Sequence, residues 1–297
     1  MENMISIIIP VYREPFLNNT LESLLKNAHG EIEIIVVVDG YTLEKPILED
    51  KRIRKVIHVK NRGMRGSINS ALAIANGDYI MKTDAHCCFG RGYDTILTEN
   101  TQNNWLVIPR RYSLDFERWD RNESKGIMDY HYLNYPMMTA YGLYMGPNVW
   151  KKWSEVMIDD TMAFQGSCWL AEKKYFMEHV AFLDDREETY GSFAQEQQEI
   201  GLKYWLGGGE VKVNKKTWYA HLSKRGYHYD AGLFSRKYKK SENIPDNNTW
   251  STLHWLNNRE PGMVHSFDWL IEKFWPVPTW PENWREQLEK DNFYTQL

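Results

Sequence analysis

Apolar and polar positions fall into short alternating blocks along the first third of the chain. Ile5–Pro10 (Ile-Ser-Ile-Ile-Ile-Pro) is an apolar run closed by proline, the pattern of a buried strand. Thr20–Ala28 places Leu21, Leu24 and Leu25 at helical spacing. Glu33–Val38 and Arg54–Val59 read as further strands, the first of them ended by the turn pair Asp39-Gly40. Arg65–Ala75 sets Ile68, Leu72 and Ala75 on one helical face, and Asn76-Gly77-Asp78 then turns the chain into a strand over Tyr79–Lys82. Strands alternating with helices predict an α/β fold, a mostly parallel central sheet flanked by helices.

Beyond this the pattern loosens. Trp105–Pro109 and Ala163–Leu170 read as strands, Lys173–His179 as a short helix, and Tyr130–Val149 has no clean period, as in a loop over a site. Glu196–Leu206 reads as a helix stopped by Gly207-Gly208-Gly209, and Val211–Val213 as a strand leading to Thr217-Trp218-Tyr219-Ala220-His221. From Ser223 the residues become polar, basic and aromatic, and the three prolines of Pro276–Trp284 suggest an extended arm. The division expected is a main α/β domain over 1–225 and a C-terminal aromatic and basic appendage over 226–297 that packs on it.

Composition narrows the class. A chain of 297 residues suits one large α/β domain or a domain with an appendage. No apolar run approaches the roughly 18–20 residues of a membrane span, and Met-Glu-Asn-Met-Ile lacks the basic start of a secretory signal. Three cysteines, two of them adjacent, make no disulfide framework, so a cytoplasmic location is expected. A net charge of −4 leaves nucleic-acid contact to local clusters such as Arg110-Arg111, Lys215-Lys216 and Arg236–Lys240, each of which also reads as a solvated face. Thirteen Trp and eighteen Tyr exceed what a core needs, and sugars and bases both stack on such rings.

Candidate chemistry gathers at strand ends, where ligands of open α/β sheets bind. Pro10-Val11-Tyr12, Asp39 and Asp84-Ala85-His86 all stand there. Two residues spaced i, i+2 at a strand end point to one side, and a carboxylate with an imidazole can share a divalent metal; the alternative is a polar strand end whose Asp caps the next turn. No G-x-G-x-x-G follows the first strand and no G-x-x-x-x-G-K-[ST] occurs, which disfavours a dinucleotide fold and a P-loop enzyme.

Taken in order, Ile5–Pro10, Val-Val-Val-Asp39-Gly and Gly77-Asp-Tyr-Ile resemble the first half of family 2 glycosyltransferases with the GT-A nucleotide-sugar fold. Asp84-Ala-His86 resembles the Asp-x-His metal motif of polypeptide N-acetylgalactosaminyltransferases, Phe164–Phe176 the segment before that family's Gly-Gly-Glu-Asn box, and Ala194–Gly208 the box itself. The likeness covers roughly residues 4–225 and extends to transferases encoded by tailed bacteriophages, which share a similar Thr-Trp-Tyr-Ala-His ending. Val38 departs from the usual Asp-Asp pair, Gln195 and Gln197 depart from the residues flanking the first Glu of the box, and no counterpart of the membrane anchor or lectin domain of the N-acetylgalactosaminyltransferases is expected.

The resemblance implies a metal-dependent transfer of sugar from a UDP-sugar to an acceptor hydroxyl. It implies Asp84, His86 and His221 as ligands of Mn2+ or Mg2+, and Pro10, Tyr12, Asp39, Arg65 and Asp84 as contacts of the nucleotide-sugar. Glu196 is the catalytic candidate, as a base in an inverting enzyme or beneath the sugar in a retaining one, with Glu199 a charged residue of the same first helical turn. The acceptor expected is a 5-hydroxymethyl pyrimidine in DNA, bound by basic and aromatic residues over 215–240 together with Trp250. The alternatives are a protein Ser/Thr hydroxyl, a glycan, or a non-catalytic sugar-binding module. No obligate protein partner and no membrane are expected.

Overall fold

The computed structural model describes residues 3–136, 142–143, 150, 155–223 and 244–294. Strand β1 (Ile5–Val11), helix α1 (Leu17–Asn27), β2 (Ile32–Asp39), β3 (Ile53–His58), α2 (Gly63–Leu72) and β4 (Tyr79–Thr83) follow in the expected sequence. The four strands lie in the order β3-β2-β1-β4, all parallel. Alternate side chains of β1 and β2 enter different cores: Ile8, Ile35 and Val37 on one face, Ile7, Ile9, Ile34 and Val36 on the other. Burial on both faces is why these strands read as unbroken apolar runs. Pro10 does not stop β1; it pairs with Val37, and Val11 still pairs with Val38. Proline's fixed φ is tolerated beside the last residue of the strand.

The second half differs from the mostly parallel sheet expected. It comprises β5 (Cys87–Phe89), α3 (Tyr93–Glu99), β6 (Trp105–Asp115), β7 (Asp120–Asn122), β8 (Ile158–Asp160), β9 (Cys168–Glu172), α4 (Lys173–His179), α5 (Glu196–Leu206) and β10 (Glu210–His221). The sheet continues β4-β9-β6-β10-β5. Strand β9 runs antiparallel to both β4 and β6, β6 and β10 are parallel, and β5 is antiparallel to β10. The result is a mixed ten-stranded sheet. Strands β5, β7 and β8 have three residues each, too few to leave a period in the sequence.

The C-terminal segment forms α6 (Ile244–Leu256), α7 (Phe267–Phe274) and α8 (Trp284–Lys290). Phe267, Leu270, Ile271 and Phe274 recur at helical spacing and join Trp255, Trp280 and Trp284 in one hydrophobic cluster with Leu106, Phe164, Trp169 and Trp205. Each such aliphatic or Phe side chain stabilises the fold by about 1.5–3 kcal/mol through burial. Pro276–Trp284 is not an extended arm: Trp280 is buried and donates from its indole to Leu133 O at 2.8 Å. The boundary expected at residue 225 lies outside the described residues.

Candidate active site

Strand β4 ends at Thr83, so Asp84-Ala85-His86 form a turn into β5 rather than a strand end. Strand alternation is therefore not what brings Asp84 and His86 together. The turn is anchored on one side by Asp84 N donating to Ser167 O at 3.0 Å. On the other, Cys87 N and Phe89 N donate to Thr20 Oγ1 and Ser23 Oγ of α1, each at 3.0 Å. Antiparallel pairing sets His221, the last residue of β10, opposite Cys87, and Leu222 N donates to His86 O at 3.1 Å. Register thus delivers the third residue to the first two.

Asp84, His86 and His221 each offer one ligand atom, and these atoms lie within 4.8 Å of one another. His221 Nε2 is 3.2 Å from Asp84 Oδ2, and His86 Nε2 is 3.9 Å from the same oxygen. The donor set, one carboxylate and two imidazoles, fits a divalent ion such as Mn2+ better than an all-oxygen site for Ca2+. Burial works against the charge of Asp84, but Lys82, the His221 hydrogen bond and His86 together hold its carboxyl well below the usual range, so it is ionised. Burial lowers His221 to about 4, which leaves a neutral imidazole, the form that ligates.

Lys82 is an unexpected partner. Its Nζ is buried in the β4 run, 2.7 Å from Asp84 Oδ1 and bonded to Gly166 O. Burial disfavours its charge, yet Asp84 and Glu196 raise its pKa above the ordinary lysine value. Glu196 opens α5 after Gln195, which holds a left-handed φ of 46°. Its Oε1 accepts from Trp169 Nε1 at 3.0 Å, whereas Oε2 is buried without a hydrogen-bond partner and faces the α-carbon of Gly166, where a Cβ would collide with it. Burial raises the Glu196 pKa, against the pull of Lys82. Ser251 Oγ of α6 donates to Gln195 Oε1 at 2.6 Å and so braces the entrance to α5.

Two expected donor contacts are turned inward instead. Asp39 is buried; Oδ1 takes Arg62 N and His58 Nδ1, and Oδ2 takes Gly63 N, all at 2.8 Å. It caps the amino end of α2, where unsatisfied N–H groups and the helix dipole favour a carboxylate. Arg65 is fully buried, bonded to Glu199 and to Ala194 O, 3.1 Å from Asp184 O, and stacked over the Tyr190 ring at 4.2 Å. In this geometry neither side chain faces an open site; both hold elements that frame one. Glu199 is likewise more than a helix-start charge, for it pairs with both Arg65 and Lys203. Pro10 and Tyr12 are half-buried near the carboxyl end of β1, and the Tyr12 ring meets Tyr41 edge-on at 5.6 Å with the Arg13 guanidinium 5.1 Å above it.

Of the described basic and aromatic members of the acceptor surface expected from 215–240, Lys216 is exposed and the others are buried or packed on neighbours. Lys215 is buried and bonds the Tyr130 hydroxyl, Lys216 bonds Asn100, and Tyr219 is fully buried. Trp250 packs on Tyr190 and His254. Lys224, Arg225, Tyr227, Tyr229, Arg236, Lys237, Lys239 and Lys240 lie outside the described residues. Two further neighbours of the site are Glu14, 3.0 Å from His86 Nδ1 and not among the expected residues, and Arg111, 3.3 Å from His221 Nδ1 and expected only as part of a basic cluster. Signals existed: Glu14 stands just past the carboxyl end of β1, after Tyr12 and Arg13, and Lys82 is a charge inside an otherwise apolar strand.

A sheet whose parallel half leads to an Asp-x-His turn, completed by a returning mixed half, is the GT-A architecture of nucleotide-sugar transferases. Residues 6–164, just over half of the chain, match glycosyl transferase family 2, and the protein belongs to that family. Human polypeptide N-acetylgalactosaminyltransferase 18 is 26% identical over 249 residues, covering 73% of this chain and 38% of that protein. The glycosyltransferase EpsJ of Bacillus subtilis is 36% identical over 112 residues, covering 35% of this chain and 32% of that protein. The chain thus spans about a third of the length of these relatives. Among solved structures, GalNAc-T7 with UDP, GalNAc and Mn2+ superposes with a TM-score of 0.66 at 14% identity, over 92% of this chain and 57% of that one. S. aureus TarS 1-349 with UDP-GlcNAc gives 0.53 at 15% identity, over 84% and 66%. At such identities the structures speak for the fold. Among the described residues no helix is long and apolar enough to cross a membrane.

Proposed function

We propose that this chain transfers a sugar from a UDP-sugar to an acceptor hydroxyl with the help of a divalent cation, Mn2+ or Mg2+, held by Asp84, His86 and His221. The observation that carries the reading is the convergence of these three ligand atoms within 4.8 Å at the rim of a GT-A sheet. The expulsion of a nucleotide diphosphate builds negative charge on the leaving oxygen, and a bound cation supplies the opposing charge. Lys82 keeps Asp84 ionised from behind, so the carboxylate is ready to ligate. The half-buried rings at the end of β1 suit a nucleoside, with Tyr12 lying against the base or ribose. Glu196 is the catalytic residue: an unpartnered, buried oxygen with raised proton affinity is suited to accept a hydrogen from a reacting or positioned hydroxyl.

The test is incubation with a panel of UDP-sugars and Mn2+, with mass analysis of the products. The acceptor proposed is 5-hydroxymethyl pyrimidine in DNA, and Ser/Thr peptides and glycans are the competing arms. Sugar added to hydroxymethylated DNA, with steep loss between low and moderate salt, supports the first. Transfer to peptides alone assigns the acceptor to protein. Binding of nucleotide-sugar without release of UDP under any condition would contradict enzyme function altogether.

A further inference from the structure

A neutral imidazole carries one N–H and one lone pair, so the partner of either nitrogen decides what the other can do. His86 Nδ1 is 3.0 Å from Glu14 Oε2, and that carboxylate side chain is only 5% exposed. A carboxylate only accepts, so Nδ1 bears a proton directed at Glu14, and Nε2, which faces Asp84, is the nitrogen left for a ligand. His221 is arranged the other way. Its Nδ1 is 3.3 Å from Arg111 Nη2, and a guanidinium only donates. Nδ1 therefore accepts, Nε2 bears the proton, and Nε2–H donates to Asp84 Oδ2 at 3.2 Å.

Metal-ligating histidines nearly always donate their outer N–H to a carboxylate or carbonyl, which fixes the ring and raises its basicity. Glu14 does this for His86, and among the described residues no such acceptor meets His221 Nδ1. Arg111 is itself poorly satisfied: it is buried, its Nε has no hydrogen-bond partner, and Nη1 is met by the Met128 sulfur. We infer that Glu14 is the positioning residue that presets His86 as a metal ligand, while Arg111 holds His221 in the opposite tautomer and must release it when a cation binds. Release needs no net proton uptake: the His221 proton moves from Nε2 to Nδ1 by exchange with solvent, and Arg111 gives up one weak bond. This rests on the metal reading above, but its first measurement needs no metal.

The test is 15N NMR of the histidine rings in the full chain, assigned with His86→Gln and His221→Gln, before and after Mg2+. Without metal, His86 is expected as the Nδ1–H tautomer and His221 as Nε2–H; with Mg2+, His221 is expected to switch to Nδ1–H. Mn2+ affinity, followed by the loss of the free-ion EPR signal, is expected to fall about 10–100-fold in Glu14→Leu and to be largely rescued in Glu14→Gln, whose amide oxygen still accepts. Arg111→Met is expected not to weaken Mn2+ binding. An Nε2–H tautomer of His86 in the metal-free wild type would overturn the proposal, as would wild-type Mn2+ affinity in folded Glu14→Leu. Tautomers as assigned with no Mn2+ bound by the wild type would instead overturn the metal reading, and Glu14's role with it.

Discussion

His221 Nε2 meets Asp84 Oδ2 at 3.2 Å although 137 residues separate them in sequence. The contact is set by register: β10 ends where it pairs with β5, and β5 begins directly after the Asp84-Ala85-His86 turn. A shift of one residue in that pairing would turn His221 to the other face of the sheet. The meeting of Asp84, His86 and His221 is thus a property of the sheet, not of a local motif.

Glu196→Gln keeps the shape of the side chain and the Trp169 contact while removing the charge. Turnover is expected to fall by roughly 10²–10⁴ with donor affinity retained. Gly166→Ala places a Cβ against Glu196 Oε2 and is expected to lower turnover in a folded protein through displacement of that carboxylate. Steady-state kcat beside donor Kd from calorimetry distinguishes the two quantities. Normal kcat in Glu196→Gln would reduce Glu196 to a helix-start residue.

Arg65 is expected to act on stability rather than on donor binding. Arg65→Met leaves buried Glu199 with Lys203 as its one remaining charged partner among the described residues and strips donors from Ala194 O and Asp184 O. Removing one member of a buried pair costs about 3–5 kcal/mol, and Arg65→Met/Glu199→Met is expected to recover part of it. Urea denaturation measures both. Unchanged stability together with a large rise in donor KM would show that Arg65 touches the donor after all.

The metal-free protein is expected to lose stability as the pH falls from about 6.5 toward 4. Burial, helped by Arg111, lowers His131 to about 4, and burial lowers His221 to about 4. An unfolded histidine titrates near about 6.5, so between these values the unfolded chain binds protons that the folded one excludes, and stability rises with pH across the window. Carboxylates whose pKa is depressed against the effect of burial, Asp184 at about 2 beside Arg186 and Glu33 held below its ordinary value by hydrogen bonds from Ser6, Asn76 and Arg54, add their loss only at still lower pH, as their own folded values are approached. Melting temperature against pH in a chelating buffer is the measurement. His131→Gln is expected to flatten the slope; an unaltered slope would mean His131 is not held neutral.

The parallel half of the fold was legible because β1, β2 and β4 are apolar on both faces and alternate with helices that show their own period. Helix α5 was legible with its stop at Gly207. The second half was not, because β5, β7 and β8 are too short to show alternation and β9 owes its place to pairing with β4 and β6. Asp39 and Arg65 fall on the elements expected, but their inward hydrogen bonds were not legible. What turns them inward is a helix end 23 and 24 residues on for Asp39 and a carboxylate 134 residues away for Arg65. Lys215 was read as solvated because nothing local announces Tyr130 as its partner. The C-terminal helices were obscured by their prolines and tryptophans, although the i, i+3, i+4, i+7 spacing of Phe267, Leu270, Ile271 and Phe274 was present.

Metal dependence is tested most directly by UDP release from a UDP-sugar in excess chelator, followed by addition of Mn2+. Turnover is expected to vanish with the chelator and return with the ion, and His86→Ala and His221→Ala are each expected to need about 10–100-fold more Mn2+, or more than that if they ligate directly. Full turnover in excess chelator, with both alanine variants unaffected, would contradict the reading of Asp84, His86 and His221 as one metal site.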